Sequence, residues 1–187
     1  MEVIFICEDN ILMDKVKNGD KKAFEQLVLK HRLKATGFAF TFIRDAYMAE
    51  DIVQESFASI YVNRTSYKSK NTFKTFLFAV IRNKCIDFIR KNKDSNIISS
   101  DDVNIASSDL TPYELLEQQE RLKYSLRLLD RLNYNYRMAF CLYEIYGFSY
   151  KEISEIMNKS LPQIKIILYR SRKNIQKYIK ENMQNEK

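Results

Sequence analysis

Apolar residues recur along this chain at spacings of three and four, the period at which a helix brings side chains onto one face. Leu12, Val16, Phe24, Leu27 and Val28 mark such a face across residues 11–33. Asn18-Gly19-Asp20 interrupts it and places Asp20 to cap a second helix. Residues 34–43 are strongly apolar and aromatic and are read as a buried helix that follows. Residues 46–62 give the cleanest amphipathic pattern of this half. Val53, Phe57 and Ile60 form its inner stripe, and Asp51, Gln54 and Glu55 recur at i, i+3 and i+4 on another face. A polar stretch, residues 63–71, precedes a helix expected over 72–91. Phe76, Leu77, Val80, Ile81 and Phe88 can pack inward there, while Asn83, Asp87 and Arg90 line one polar edge.

The pattern restarts at Thr111-Pro112, where proline suits a first helical turn. It continues as a helix to about Leu132 and a second over residues 134–146, stopped by Gly147 in the position that favours positive φ. With only 3 Gly and 2 Pro, tight turns between strands are scarce, and the chain is expected to be all-α.

Charge divides the chain. Residues 1–93 carry 17 Lys/Arg against 11 Asp/Glu, and residues 112–187 carry 14 against 9. Residues 94–111 have four aspartates and no basic residue. The expected organisation is two small helical domains, 1–93 and 112–187, joined by a flexible acidic linker, 94–111. The overall charge of +7 suits a polyanionic partner. Cys7, Cys85 and Cys141 are scattered, no CxxC pair occurs and His31 is the single histidine, so no metal site is expected. The apolar start, Val3 to Cys7, is too short for a signal peptide, and no segment approaches the roughly 20 apolar residues of a membrane span. A cytoplasmic protein without membrane insertion is expected.

The chemistry concentrates after Gly147. Ser149 with Glu152, and Ser160 with Gln163, are two capping boxes, and Pro162 falls within a first helical turn. Two capped helices joined by about three residues have the spacing of a helix-turn-helix. At about 100° per residue, Ile164, Ile167, Leu168, Ser171 and Ile175 share one side of the second helix. Pro162, Lys165, Ile166, Tyr169, Arg170 and Lys173 share the other. Cations, an aromatic ring and an aliphatic chain on one outer face suit phosphates and base edges in a major groove, with Ile166 placed for a thymine methyl. The bland alternative, a solvated basic helix end, suffices for Arg172, Lys177 and Lys180.

With both halves in view, the chain from Ile11 to Tyr178 resembles the extracytoplasmic-function (ECF) sigma factors of bacterial RNA polymerase. The resemblance lies in Asp20-Lys21-Lys22-Ala23-Phe24-Glu25-Gln26-Leu27, in Ala49-Glu50-Asp51-Ile52-Val53-Gln54-Glu55-Ser56-Phe57, and in residues 73–83. It continues in Phe148-Ser149-Tyr150-Lys151-Glu152-Ile153-Ser154 and from Gln163 to Arg172. It implies that Asp51, Gln54 and Glu55 bind core RNA polymerase. It also implies that the segment Ser66 to Asn71, with Lys68 and Lys70, captures a base flipped from the −10 element. Phe76, Asn83, Asp87 and Arg90 would face the melted strand, although Asp87 equally suits an internal ion pair. Lys165, Ile166, Tyr169, Arg170 and Lys173 would read the −35 element.

By the same resemblance the partners are core polymerase, promoter DNA and an anti-sigma protein. No cofactor is expected, and no nucleophile–base pair, phosphate loop or metal cluster suggests an enzyme. Three features depart from the family pattern: Phe76 replaces a common tryptophan, Ile167 a common arginine, and the apolar start lies outside it. The alternative from the residues alone is a free-standing helix-turn-helix activator or repressor.

Overall fold

The computed structural model describes residues 8–67, 72–92 and 112–185. Among them there is no strand, and the chain divides into two compact units. The acidic segment expected as a linker lies outside the described residues.

The first unit is built on α1 (Glu8–Lys17), α2 (Lys21–Ile43), α3 (Ala46–Val62) and α4 (Phe73–Lys91), with a short 3-10 turn at Arg64–Ser66. Each junction has a local cause. Gly19 takes φ +92°, and the Asp20 carboxylate accepts the Ala23 N–H at 3.1 Å to start α2. Arg44, at φ 61°, ends α2 with its N–H on the Phe40 carbonyl. Asp45 and Thr72 then cap α3 and α4 in the same manner as Asp20. Residues 34–43 are not a helix of their own. They continue α2 without a break, because no glycine, proline or capping residue separates them from Leu33 in a way that ends the turn-to-turn hydrogen bonding; Gly37 is carried within the helix.

α2 packs on α3 and α4, and α1 lies against α2 and α4. Leu27, Phe38, Val53, Phe57, Leu77, Phe78 and Ile81 fill the centre with Met13 and Val16 from α1. The inward face of α4 differs from the expected one. Phe73, Phe78 and Cys85 are buried alongside Leu77 and Ile81, whereas Phe76, Val80 and Phe88 are only half-buried. With neighbours on more than one side, α4 buries a wider arc than a single stripe. Burial pushes the Cys85 thiol up to about 12, away from thiolate reactivity.

The second unit is built on α5 (Pro112–Asp130), α6 (Tyr134–Phe140), a π-helical turn (Cys141–Ile145), α7 (Tyr150–Met157) and α8 (Leu161–Asn185). Asn133 caps α6, and Arg137 ties it to α5 by donating Nε–H to the Leu129 carbonyl at 3.0 Å. The helix expected over 134–146 ends differently from the expectation. Its last turn widens so that Tyr146 N–H reaches back to the Cys141 carbonyl at 3.1 Å. Gly147, at φ 68°, then turns the chain, and Phe148 N–H bonds the Leu142 carbonyl at 2.9 Å. Leu129, Leu132 and Cys141 form a core cluster against which Tyr136, Phe140, Tyr146 and Ile175 pack.

Candidate nucleic-acid interface

Both capping boxes are formed. Glu152 accepts the Ser149 N–H at 2.8 Å, and Glu152 N–H returns to Ser149 Oγ at 3.3 Å. Gln163 Oε1 accepts the Ser160 N–H at 2.9 Å, and Gln163 N–H reaches Ser160 Oγ at 3.4 Å. These reciprocal bonds satisfy donors that a helix start leaves without intrahelical partners. Between the two helices Asn158 adopts φ 51°, which makes the sharp turn, and Ser154 Oγ donates to the Lys159 carbonyl at 2.7 Å to hold it.

α8 is thereby oriented with one side in the core. Ile164, Leu168 and Ser171 are fully buried, and Ile167 and Ile175 are half-buried. Lys165, Ile166, Tyr169, Arg170 and Lys173 are all exposed on the opposite side, with Ile166 at 51% and Tyr169 at 66% exposure. An exposed isoleucine and tyrosine flanked by three cations form a surface with little reason to face water alone. Arg172 differs from the solvated helix end expected of it. Its Nε–H donates to Glu144 at 2.8 Å, and its guanidinium lies 4.7 Å from the centre of the Tyr143 ring. The Glu144 carboxylate and the Tyr150 side chain hold its pKa well above the ordinary arginine range. A signal for this role was present in the helical angle, because Arg172 lies beside the buried Ser171 and not on the outer arc.

In the first unit, Asn83, Asp87 and Arg90 lie at the surface of α4. Asn83 accepts a hydrogen bond from Arg82 at 3.0 Å, and Asp87 pairs with Arg90 at 2.6 Å. The ion pair foreseen for Asp87 is therefore present, and both of its members remain exposed. Phe76 is half-buried, with its ring 5.1 Å from that of Tyr67 and at 63° to it. Ser66 is exposed at the end of the 3-10 turn, while Lys68, Lys70 and Asn71 lie outside the described residues.

Asp51, Gln54 and Glu55 are exposed on α3, with Glu55 paired to Lys84 at 2.9 Å and Gln54 bonded to Glu50 at 3.3 Å. Beside them an open groove of about 720 Å³ runs between α2 and α3. Phe24, Val28, Leu33, Val53, Gln54 and Phe57 are among its lining residues. Leu33 is 83% exposed and Leu29, one turn earlier, 66%. The sequence reading missed this apolar strip. Its signal was Leu33, a leucine lying off the inward stripe of α2.

An all-helical chain with a capped helix-turn-helix and an outward basic and aromatic face belongs to the class of helix-turn-helix DNA-binding proteins. Comparison with known proteins narrows the class. Residues 27–95 match the family model for sigma-70 region 2, and residues 124–175 that for sigma-70 region 4. The ECF RNA polymerase sigma factor SigM of Bacillus subtilis is 36% identical over 141 residues, covering 74% of this chain and 83% of SigM. The RNA polymerase sigma-H factor of Pseudomonas aeruginosa is 27% identical over 179 residues, covering 91% and 93%. The chain belongs to the ECF family of RNA polymerase sigma factors, and its role is in transcription initiation.

Solved structures agree on the architecture. The sigma factor RpoE of Bartonella quintana, solved with the anti-sigma factor NepR, superposes with a TM-score of 0.70 at 25% identity, covering 85% of this chain and 98% of the other. CnrH, solved with the cytosolic domain of CnrY, has the same fold, with a TM-score of 0.71 at 21% identity and coverage of 92% and 97%. No helix among the described residues is long and apolar enough to cross a membrane.

Proposed function

We propose that the chain is a dissociable, non-enzymatic promoter-specificity subunit whose two units grip a promoter at two points. In this reading the C-terminal unit docks on the −35 element. Lys165, Arg170 and Lys173 meet phosphates or base edges, Tyr169 packs on the backbone, and Ile166 contacts a thymine methyl. The N-terminal unit opens the −10 element. Residues 66–71 receive a flipped base, Phe76 stacks on the edge of the opened strand, and Asn83, Asp87 and Arg90 line its path. The division of labour follows residues 1–93 and 112–187, with the acidic segment 94–111 as tether.

Core polymerase binds across α3 at Asp51, Gln54 and Glu55. The groove beside them, where Phe24, Val28, Leu33, Val53 and Phe57 lie between Arg32 and Glu50, would give that contact an apolar centre within a charged rim. The protein works in the cytoplasm, where its polymerase is. An anti-sigma protein is expected to hold it inactive, as a partner of that kind is bound to RpoE.

The observation that carries the reading is the exposed face of α8, where three cations surround an isoleucine and a tyrosine while Ile164, Leu168 and Ser171 on the opposite side are fully buried. The experiment is run-off transcription with purified core polymerase on promoter templates altered singly in the −10 or −35 element. Specific transcripts that fall with either alteration are expected. Strong binding to duplex DNA without polymerase, together with no initiation, would instead identify a free-standing regulator.

A further inference from the structure

The first residues of α1, Glu8-Asp9-Asn10, make side-chain bonds to parts of the chain far from them in sequence. Asp9 is buried, with one carboxylate oxygen 2.7 Å from His31 Nε2 and the other 2.7 Å from the Lys30 ammonium. Glu8 pairs with the same lysine at 2.7 Å. These contacts fix the start of α1 on α2. The side chain of Asn10 then reaches the other way. Its Oδ1 accepts the Phe73 N–H at 3.0 Å and the Tyr67 hydroxyl at 3.3 Å.

Tyr67 is the second residue of the segment 66–71 proposed above to capture a base, and Phe73 lies two residues past its end. Both are buried, and a single carbonyl oxygen joins them. The oxygen assignment follows from chemistry, because a backbone N–H can only donate. Tyr67 is also braced by Lys17, whose ammonium lies 5.2 Å from its ring centre, and the Phe76 ring packs against it. A chain of contacts therefore runs from Asn10 through Tyr67 to Phe76.

We infer that Asn10 is a positioning residue for −10 recognition: it touches no DNA, but it holds Tyr67 and Phe73 in place and, through Tyr67, sets the seat of Phe76. This rests on the −10 role proposed above for residues 66–71 and Phe76. Asn10→Ala removes the acceptor, Asn10→Asp keeps it, and Tyr67→Phe removes one donor while keeping the ring.

The test uses each full-length variant with core polymerase and promoters carrying 2-aminopurine in the −10 element, matched or base-substituted. Asn10→Ala is expected to keep its affinity for core polymerase and its dependence on the −35 element. Its discrimination between matched and substituted −10 elements should fall at least roughly fivefold, since the Phe73 N–H and the Tyr67 hydroxyl both lose their acceptor. Asn10→Asp should restore most of that discrimination, and Tyr67→Phe should lose part of it. Should Asn10→Ala prove too unstable by urea melting, Tyr67→Phe carries the test alone.

Wild-type discrimination in Asn10→Ala and Tyr67→Phe overturns the inference and leaves the −10 reading standing. Equal losses at the −10 and −35 elements also overturn it, by revealing a purely structural role. If the wild-type chain itself ignores −10 substitutions, the −10 reading and the inference fall together.

Discussion

Arg172 donates Nε–H to Glu144 at 2.8 Å while its guanidinium lies 4.7 Å from the centre of the Tyr143 ring. The helix with the outward basic face is thereby fastened to the π-helical turn that precedes the helix-turn-helix. Arg172→Ala should destabilise the chain by about 1 kcal/mol, since the pair is partly solvated and the ring contact adds to it. Arg172→Lys should rescue little, because an ammonium offers neither the planar fork nor the stacking face. Urea unfolding in a double-mutant cycle with Glu144→Gln checks this, and a coupling near zero would refute it.

Arg170 lies on the opposite arc, exposed to solvent. Arg170→Ala is expected to leave the thermal midpoint unchanged and to weaken −35 binding by about 1–3 kcal/mol if the contact is bidentate to a base. Footprinting of the holoenzyme on matched and mismatched −35 elements measures it. Undiminished protection in the variant would remove Arg170 from the interface.

Ile166 and Leu168 separate the two faces of α8 with the same substitution. Ile166 is 51% exposed and Leu168 fully buried. Ile166→Ala should cost stability little while reducing transcription from promoters with thymine at the contacted position. Leu168→Ala should cost about 2–5 kcal/mol of stability. Thermal melts and run-off assays on both variants decide, and equal destabilisation by the two would mean that α8 does not face as described.

His31 provides a pH dependence. Burial lowers its pKa from the ordinary 6.5, against the opposing pull of Asp9 and aided by the charges of Lys30 and Lys74. The neutral ring is therefore favoured more in the folded unit than in the unfolded chain. Stability from this site is complete above about pH 6.5 and is lost on acidification, as the unfolded chain takes up its proton first. The slope cannot exceed about 1.4 kcal/mol per pH unit for one proton. Urea melts between pH 7.5 and 5.5 should show a decline that His31→Gln flattens; identical slopes in the two proteins would exclude His31 as the cause.

The capping residues made the helix starts at Lys21 and Tyr150 legible, since Asp20 and Ser149 satisfy backbone donors through contacts only three residues long, whereas the start at Ala46 was read from its apolar stripe. The outward arc of α8 was legible for a similar reason: its core partners enforce the helical period already written in the sequence. What escaped was long-range. Asn10 bonds residues 57 and 63 positions away, and Arg172 finds Glu144 28 positions back. No local pattern encodes such pairs. The same applies to α4, where the burial of Phe73 and Phe78 and the half-exposure of Phe76 depend on how α1, α2 and α3 surround it.

The region 2 family match begins at residue 27, beyond the whole of α1. A fragment cut at that boundary would lack Met13 and Val16, both fully buried, and would leave His31 without Asp9. It would expose apolar core and strand a buried imidazole at once. α1 is therefore part of the core of this half, and a truncation meant to spare the fold has to leave it intact.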